Sequence, residues 1–137
     1  MVVAQGRGMT TRHALICEDD AAIRALVKTV VQREGFAVDV AADGKAGIEM
    51  LNRGCYDLLV LDLMMPGVDG YAVVNFLKES RPNGLKRVVI MSAAGTVIRG
   101  DFPEPICRLL PKPFDIDQLT DAVRSCARQC DDAAVGR

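Results

Sequence analysis

The chain has 137 residues, half of them hydrophobic and 26% charged, with 17 Lys plus Arg against 18 Asp plus Glu and a formal net charge of −1. That is enough for one domain with its own core and too little for two. The composition excludes a disordered polymer, the charge balance excludes a strongly basic nucleic-acid binder, and apolar runs such as Leu58–Leu61 stop far short of a membrane span.

Met1–Thr11 has no apolar centre of signal-peptide length. Residues 1–12 therefore read as a flexible lead, 13–130 as the domain and 131–137 as a flexible tail. His13–Cys17 is apolar after its first residue and ends in acids, which predicts a buried strand. Asp20–Arg33 carries Ile23, Leu26, Val27, Val30 and Val31 at helical spacing, an amphipathic helix with Asp20 near its N-cap and Gly35 beyond its end. Phe36–Val40 predicts a second strand. Asp43–Asn52 predicts a second helix, with Ala46, Met50 and Leu51 inward and Gly54 closing it. Tyr56–Leu61 is the most apolar strand and so the central one. Pro66-Gly67-Val68-Asp69-Gly70 is a turn, followed by a helix over Tyr71–Glu79 that stops before Pro82-Asn83-Gly84. Arg87–Met91 and Ile106–Leu110 complete the strands. Asp115–Gln129, with Ile116, Leu119, Val123 and Ala127 at core spacing, is the last helix. Between them, Ala93–Pro105 contains Gly95, Gly100, Pro103 and Pro105, which limits the fourth helix to a turn or two near Gly95–Arg99.

This fivefold alternation predicts an α/β fold, a doubly wound five-stranded parallel sheet with helices on both faces. The five cysteines (Cys17, Cys55, Cys107, Cys126, Cys130) are irregularly spaced without a CxxC pair, and His13 is the one histidine. Reduced thiols, not a zinc site, are the expectation, in a cytoplasmic protein.

In an open parallel sheet, ligands bind beyond the carboxyl ends of the strands. Glu18, Asp19 and Asp20 follow the first strand, Asp62 the third, Ser92 the fourth and Lys112 the fifth. Two carboxylates about 4 Å apart repel by roughly 4 kcal/mol at an effective dielectric near 20, so such a gathering calls for a cation. An all-oxygen set selects Mg²⁺ or Mn²⁺. No Gly-rich phosphate loop follows a strand, which argues against a nucleotide pocket.

Four segments, Ile16-Cys17-Glu18-Asp19-Asp20, Leu61-Asp62 through Asp69-Gly70, Met91-Ser92-Ala93 and Pro111-Lys112-Pro113-Phe114, together resemble the signatures of response-regulator receiver domains over about residues 13–129. The resemblance implies a stand-alone, CheY-like receiver with flavodoxin-like strand order 2-1-3-4-5. It implies that Asp62 is the phosphoacceptor, taking a phosphoryl group from a histidine kinase or histidine phosphotransfer protein. It implies that Glu18, Asp19, Asp62 and the backbone carbonyl of Met64 hold Mg²⁺, that Ser92 is the switch hydroxyl, and that Lys112, before a cis Pro113, pairs with the phosphoryl group. Signalling is then by protein contact with an output partner, without direct nucleic-acid binding and without a membrane span. No catalysis is implied beyond Mg²⁺-dependent self-phosphorylation and autodephosphorylation.

Two departures stand out. Leu109 occupies a position where the family usually has an aromatic residue, and the irregular Ala93–Pro105 segment disturbs the face that most receivers use for outputs. Met64 and Ala94 occupy the two positions that tune dephosphorylation in the family; both are apolar, which implies a long-lived phosphorylated form. Three alternatives remain open at this point: a receiver-shaped interaction module that is never phosphorylated, a Mg²⁺-dependent phosphatase of the aspartyl-phosphate type, and a flavin or nucleotide binder on the same wound sheet. Met64 opposes the second, where another acid is usual, and the acidic strand ends oppose the third.

Overall fold

The computed structural model describes residues 11–93 and 106–135, the side chains of 128–135 excepted. Strands β1 (Arg12–Cys17), β2 (Phe36–Ala41), β3 (Leu58–Asp62), β4 (Val88–Ser92) and β5 (Arg108–Pro111) alternate with helices α1 (Ala21–Arg33), α2 (Gly44–Arg53), α3 (Gly70–Ser80) and α4 (Ile116–Val135). The sheet is parallel throughout, in the order β2-β1-β3-β4-β5, as expected. Crossovers through α1, α2 and α3 join the first four strands, because parallel neighbours cannot be joined by tight turns.

Side chains alternate across the pleat and divide the core into two layers. On one face Ala14, Ile16, Leu58, Val60, Val89 and Met91 pack against Val27, Val30 and Val31 of α1 and Leu119, Ala122 and Val123 of α4. On the other, Leu15, Leu59, Leu61, Val88 and Ile90 pack against Leu51 of α2 and Val73, Val74 and Leu77 of α3. Every residue of β3 is buried, as its unbroken apolar sequence predicts for a central strand.

Three helices start in the same way. Asp20, Asp43 and Asp69 are extended at the N-caps, and their carboxylates accept from the amides of Ile23 (2.9 Å), Ala46 (2.8 Å) and Ala72 (3.1 Å). Each cap contributes about 1 kcal/mol and places a helix start directly above the sheet's carboxyl edge. Gly35 ends α1 at φ +97°, where a Cβ is disfavoured.

The structure corrects several boundaries. The third strand starts at Leu58, not Tyr56, and includes Asp62. The Tyr56 hydroxyl instead donates to Asp39 (2.7 Å). Beyond the third helix, Pro82–Arg87 forms a 3-10 helix that buries Leu85. The last strand starts two residues later than expected, and α4 runs on to Val135. Leu26 (38%) and Ile116 (48%) are exposed, because the covered stripe of each helix is narrower than its apolar one. The expectation of reduced thiols also fails for one pair: Cys107 and Cys126 are joined in a disulfide, with Cα atoms 6.0 Å apart. The fold brings together residues 19 apart in the chain, and cysteine spacing carries no trace of that. The short helix expected over Gly95–Arg99 and the position of Ala94 lie outside the described residues.

Candidate functional site

Glu18, Asp19 and Asp62 converge where β1 and β3 end. One carboxylate oxygen from each lies within 4.8 Å of the others. Glu18 continues the line of β1, its amide donating to Ala41 (3.1 Å), and its side chain is fully buried. It accepts from the Asp20 amide (3.1 Å) and, through its other oxygen, from Lys112 Nζ (2.8 Å). Asp62, also buried, accepts from the Met64 amide (3.1 Å) and faces Lys112 Nζ at 3.4 Å. Asp19 is exposed and stands on the solvent side of the pair.

Lys112 arrives from the far edge of the sheet. Its amide donates to the Ser92 carbonyl (2.6 Å), which fixes the β5–α4 turn to the end of β4, and the Lys112–Pro113 peptide is cis. Ser92 is buried one residue beyond Met91, the register partner of Asp62. The structure therefore gathers Glu18, Asp19, Asp62 and Lys112 around one point, with Ser92 at the same sheet edge. Met64 follows Asp62 in the loop, with its side chain 56% exposed and its amide turned to the Asp62 carboxylate. Leu109 is 41% exposed on β5, opposite Ile90.

Burial pushes the Glu18 carboxyl up to about 7; Lys112 and the Asp20 amide pull it down, and Asp62 pushes it further up. Burial works against the Lys112 charge, but its bond to Glu18 and the charges of Asp62 and Glu18 outweigh this and raise its pKa. Both shifts have one sense: Glu18 and Lys112 each hold a proton more tightly than usual, beside the charge of Asp62. A hard divalent cation answers the same excess of negative charge. The donor set fits Mg²⁺ by that chemistry, with Asp19 and Asp62 as the carboxylates left for it while Lys112 engages Glu18.

Two residues not foreseen as part of the site shape it. Arg24 donates from one guanidinium nitrogen to the Glu18 (2.9 Å) and Asp19 (3.3 Å) carbonyls, and so holds the acidic turn. The available signal was an arginine one turn into a helix that opens on acids, since helical side chains lean toward the N-terminus. Gly70 is the other. Its amide donates to Leu63 (3.0 Å), and a Cβ there would meet the Asp62 carbonyl oxygen at 2.5 Å and Leu63 Cα at 2.6 Å. The sequence shows it only as a turn residue.

Residues 14–124 match the response regulator receiver domain family. The chain belongs to the response regulator receiver domain family. Among curated relatives, this receiver is 37% identical over 115 residues to the transcriptional activator protein PfeR of Pseudomonas aeruginosa, covering 80% of this chain and 36% of that protein. It is 34% identical over 122 residues to the transcriptional regulatory protein TcrA of Mycobacterium tuberculosis, covering 84% of this chain and 46% of that protein. It is 33% identical over 118 residues to sporulation initiation phosphotransferase F of Bacillus subtilis, covering 85% of this chain and 94% of that protein. The chain thus spans less than half of the first two relatives. Among solved structures, a CheY-like receiver domain protein of Methanospirillum hungatei superposes with a TM-score of 0.74 at 26% identity, covering 88% of this chain and 97% of that one. Among the described residues, no helix of this receiver is long and apolar enough to cross a membrane.

Proposed function

We propose that this receiver accepts a phosphoryl group on Asp62 from a histidine kinase or histidine phosphotransfer protein, in a Mg²⁺-dependent reaction in the cytoplasm. It then signals by contact with an output protein. The observation that carries the reading is the convergence of three carboxylates within 4.8 Å with Lys112 Nζ at 2.8 Å from Glu18 and 3.4 Å from Asp62. The relative named as a phosphotransferase, matched over nearly its whole length, supports the same class of chemistry.

One Asp62 oxygen attacks the phosphorus of the donor; the new O–P bond forms as the N–P bond of the phosphohistidine breaks, and the freed imidazole takes up a proton. The attack sets an anion against an anion, so it needs charge compensation and alignment. Mg²⁺, held by Asp19 and Asp62, would supply part of that compensation. The Met64 amide holds the Asp62 carboxylate in orientation. Lys112 is close enough to exchange its Asp62 contact for a phosphoryl oxygen while its amide stays on Ser92. Glu18 keeps the lysine aimed inward. The Ser92 hydroxyl serves as the switch group.

The test is intact mass after incubation with acetyl phosphate. Wild type with Mg²⁺ gains one phosphoryl group; Asp62→Ala gains none, and a chelator abolishes the gain in wild type. An adduct that survives Asp62→Ala, or no adduct at all, rejects the proposal. The second outcome favours a receiver-shaped interaction module that carries no phosphate, for which Leu109 in place of an aromatic residue speaks. The Met64 side chain carries neither a carboxylate nor a carboxamide to orient an attacking water, so the phosphorylated form decays slowly; loss of the adduct within seconds contradicts this.

A further inference from the structure

The Cys107–Cys126 bond lies away from the phosphoryl chemistry but encloses part of it. Cys107 stands just before β5, its amide donating to the Val88 carbonyl (3.0 Å) on β4. Cys126 is fully buried on the sheet-facing side of α4, in the layer that holds Leu119 and Val123. The covalent ring from 107 to 126 therefore contains β5, Lys112, the cis peptide and the first half of α4. The two sulfurs differ in access: Cys107 is half-buried, whereas Cys126 is sealed in the core.

A disulfide can be reversible only if the chain also folds without it. Here the junction has other supports. Arg108, next to Cys107, reaches Asp121 (3.0 Å) and Ser125 (2.9 Å) on α4. Leu110, Leu119, Ala122 and Val123 are buried between strand and helix, an apolar contact that does not involve the sulfurs. A reduced Cys126 packs as a small hydrophobic residue.

We propose that Cys107–Cys126 is a reversible thiol–disulfide site, written by low-molecular-weight disulfides and erased by thiols, that sets how firmly the Lys112-bearing segment is held. The Cys107 thiolate attacks one sulfur of an oxidised small disulfide and expels one small thiolate. The Cys126 sulfur then attacks the mixed disulfide at Cys107 and expels the second. Two electrons pass from the protein sulfurs to the small disulfide, and the two protein thiol protons end on the two small thiols. This input is independent of Asp62.

The test uses the full chain equilibrated with oxidised or reduced glutathione. Alkylation after denaturation should count three free thiols of the five in the oxidised form and five in the reduced form. Closing a ring of about 20 residues should make the oxidised chain's unfolding constant roughly 200-fold smaller, read as a higher melting temperature that falls back on reduction. Cys107→Ser and Cys126→Ala should each abolish the redox response, with Cys107→Ser the safer variant because its site is not sealed in the core. Cys55→Ser, Cys130→Ser and Asp62→Ala should keep it, the last even if no phosphate is ever accepted. Five free thiols under oxidising conditions, a melting temperature indifferent to redox state, loss of the response in Cys130→Ser, or a response seen only as a Cys55-linked dimer would each overturn the proposal.

Discussion

Gly70→Ala is the sharpest test of how Asp62 is held. The methyl group would sit 2.5 Å from the Asp62 carbonyl oxygen and 2.6 Å from Leu63 Cα, with the Asp62 carbonyl carbon at 3.1 Å. All three are backbone atoms, so no side chain can rotate away; either β3 or the start of α3 must move. Overpacking of this kind costs about 1–3 kcal/mol, partly offset by the helix-propensity gain of at most about 1 kcal/mol. The net loss of up to about 3 kcal/mol corresponds to a melting temperature lower by up to roughly 15 °C for a domain of this size. The functional loss is expected to be larger, because the displaced atoms carry Asp62, the proposed acceptor, and misplacement by about 1 Å costs on the order of 100-fold in a positioned reaction. Acetyl phosphate labelling followed by intact mass, alongside thermal melting, reads both effects. Gly54→Ala is the control: φ is −159° and nothing lies within 4 Å of its added Cβ. If Gly70→Ala melts and labels like wild type, the claim that β3 and α3 meet too closely for a side chain is wrong.

Arg24→Ala is expected to raise the Mg²⁺ concentration for half-maximal labelling by roughly three- to tenfold, one charge-assisted bond in partial solvent being worth about 1 kcal/mol. Labelling should recover at saturating Mg²⁺ and Arg24→Lys should recover part of the affinity; calorimetric titration measures both, and an unchanged affinity refutes the clamp. Tyr56, raised to about 12 by burial and by the Asp39 hydrogen bond and charge, should be the late-titrating phenol in tyrosinate absorbance of a Tyr71→Phe variant, and Asp39→Ala should lower it. The native state keeps a proton that the unfolded chain releases near pH 10, so this stabilisation is full below pH 10 and is lost as pH rises toward 12. Leu119→Ala, in the sealed layer under α4, should cost about 2–5 kcal/mol in urea unfolding, against less than about 0.5 kcal/mol for the exposed Ile116→Ala. Equal effects would mean that α4 is rotated.

Much of the site was legible because of where strands end. From Ala14 and from Leu58 onward β1 and β3 are apolar until acids end them, so their ends could be located from sequence. In a parallel sheet those ends share an edge, and the meeting of Glu18, Asp19 and Asp62 follows from topology. Lys112 could be brought to that edge in the same way. Its choice of Glu18 as the nearer partner could not, since that depends on side-chain reach across three strands. Leu26 and Ile116 misled because periodicity gives the width of an apolar stripe, not how much of it a neighbour covers. The Cys107–Cys126 pairing and the Arg24 clamp were invisible for a related reason: both rest on contacts at the ångström scale that element order leaves undetermined.

In β1 and β3, successive residues belong to opposite layers: Ala14 and Ile16 to one, Leu15 and Cys17 to the other, then Leu58 and Val60 against Leu59 and Leu61. These two strands are a party wall between separate interiors. Saturation mutagenesis along them should show no every-second-residue rhythm of tolerance, unlike β2 and β5, where covered and open positions mix. Transplanting the outward packing of α2 and α3 from a relative should likewise leave the α1 and α4 side undisturbed, so long as the wall itself is kept.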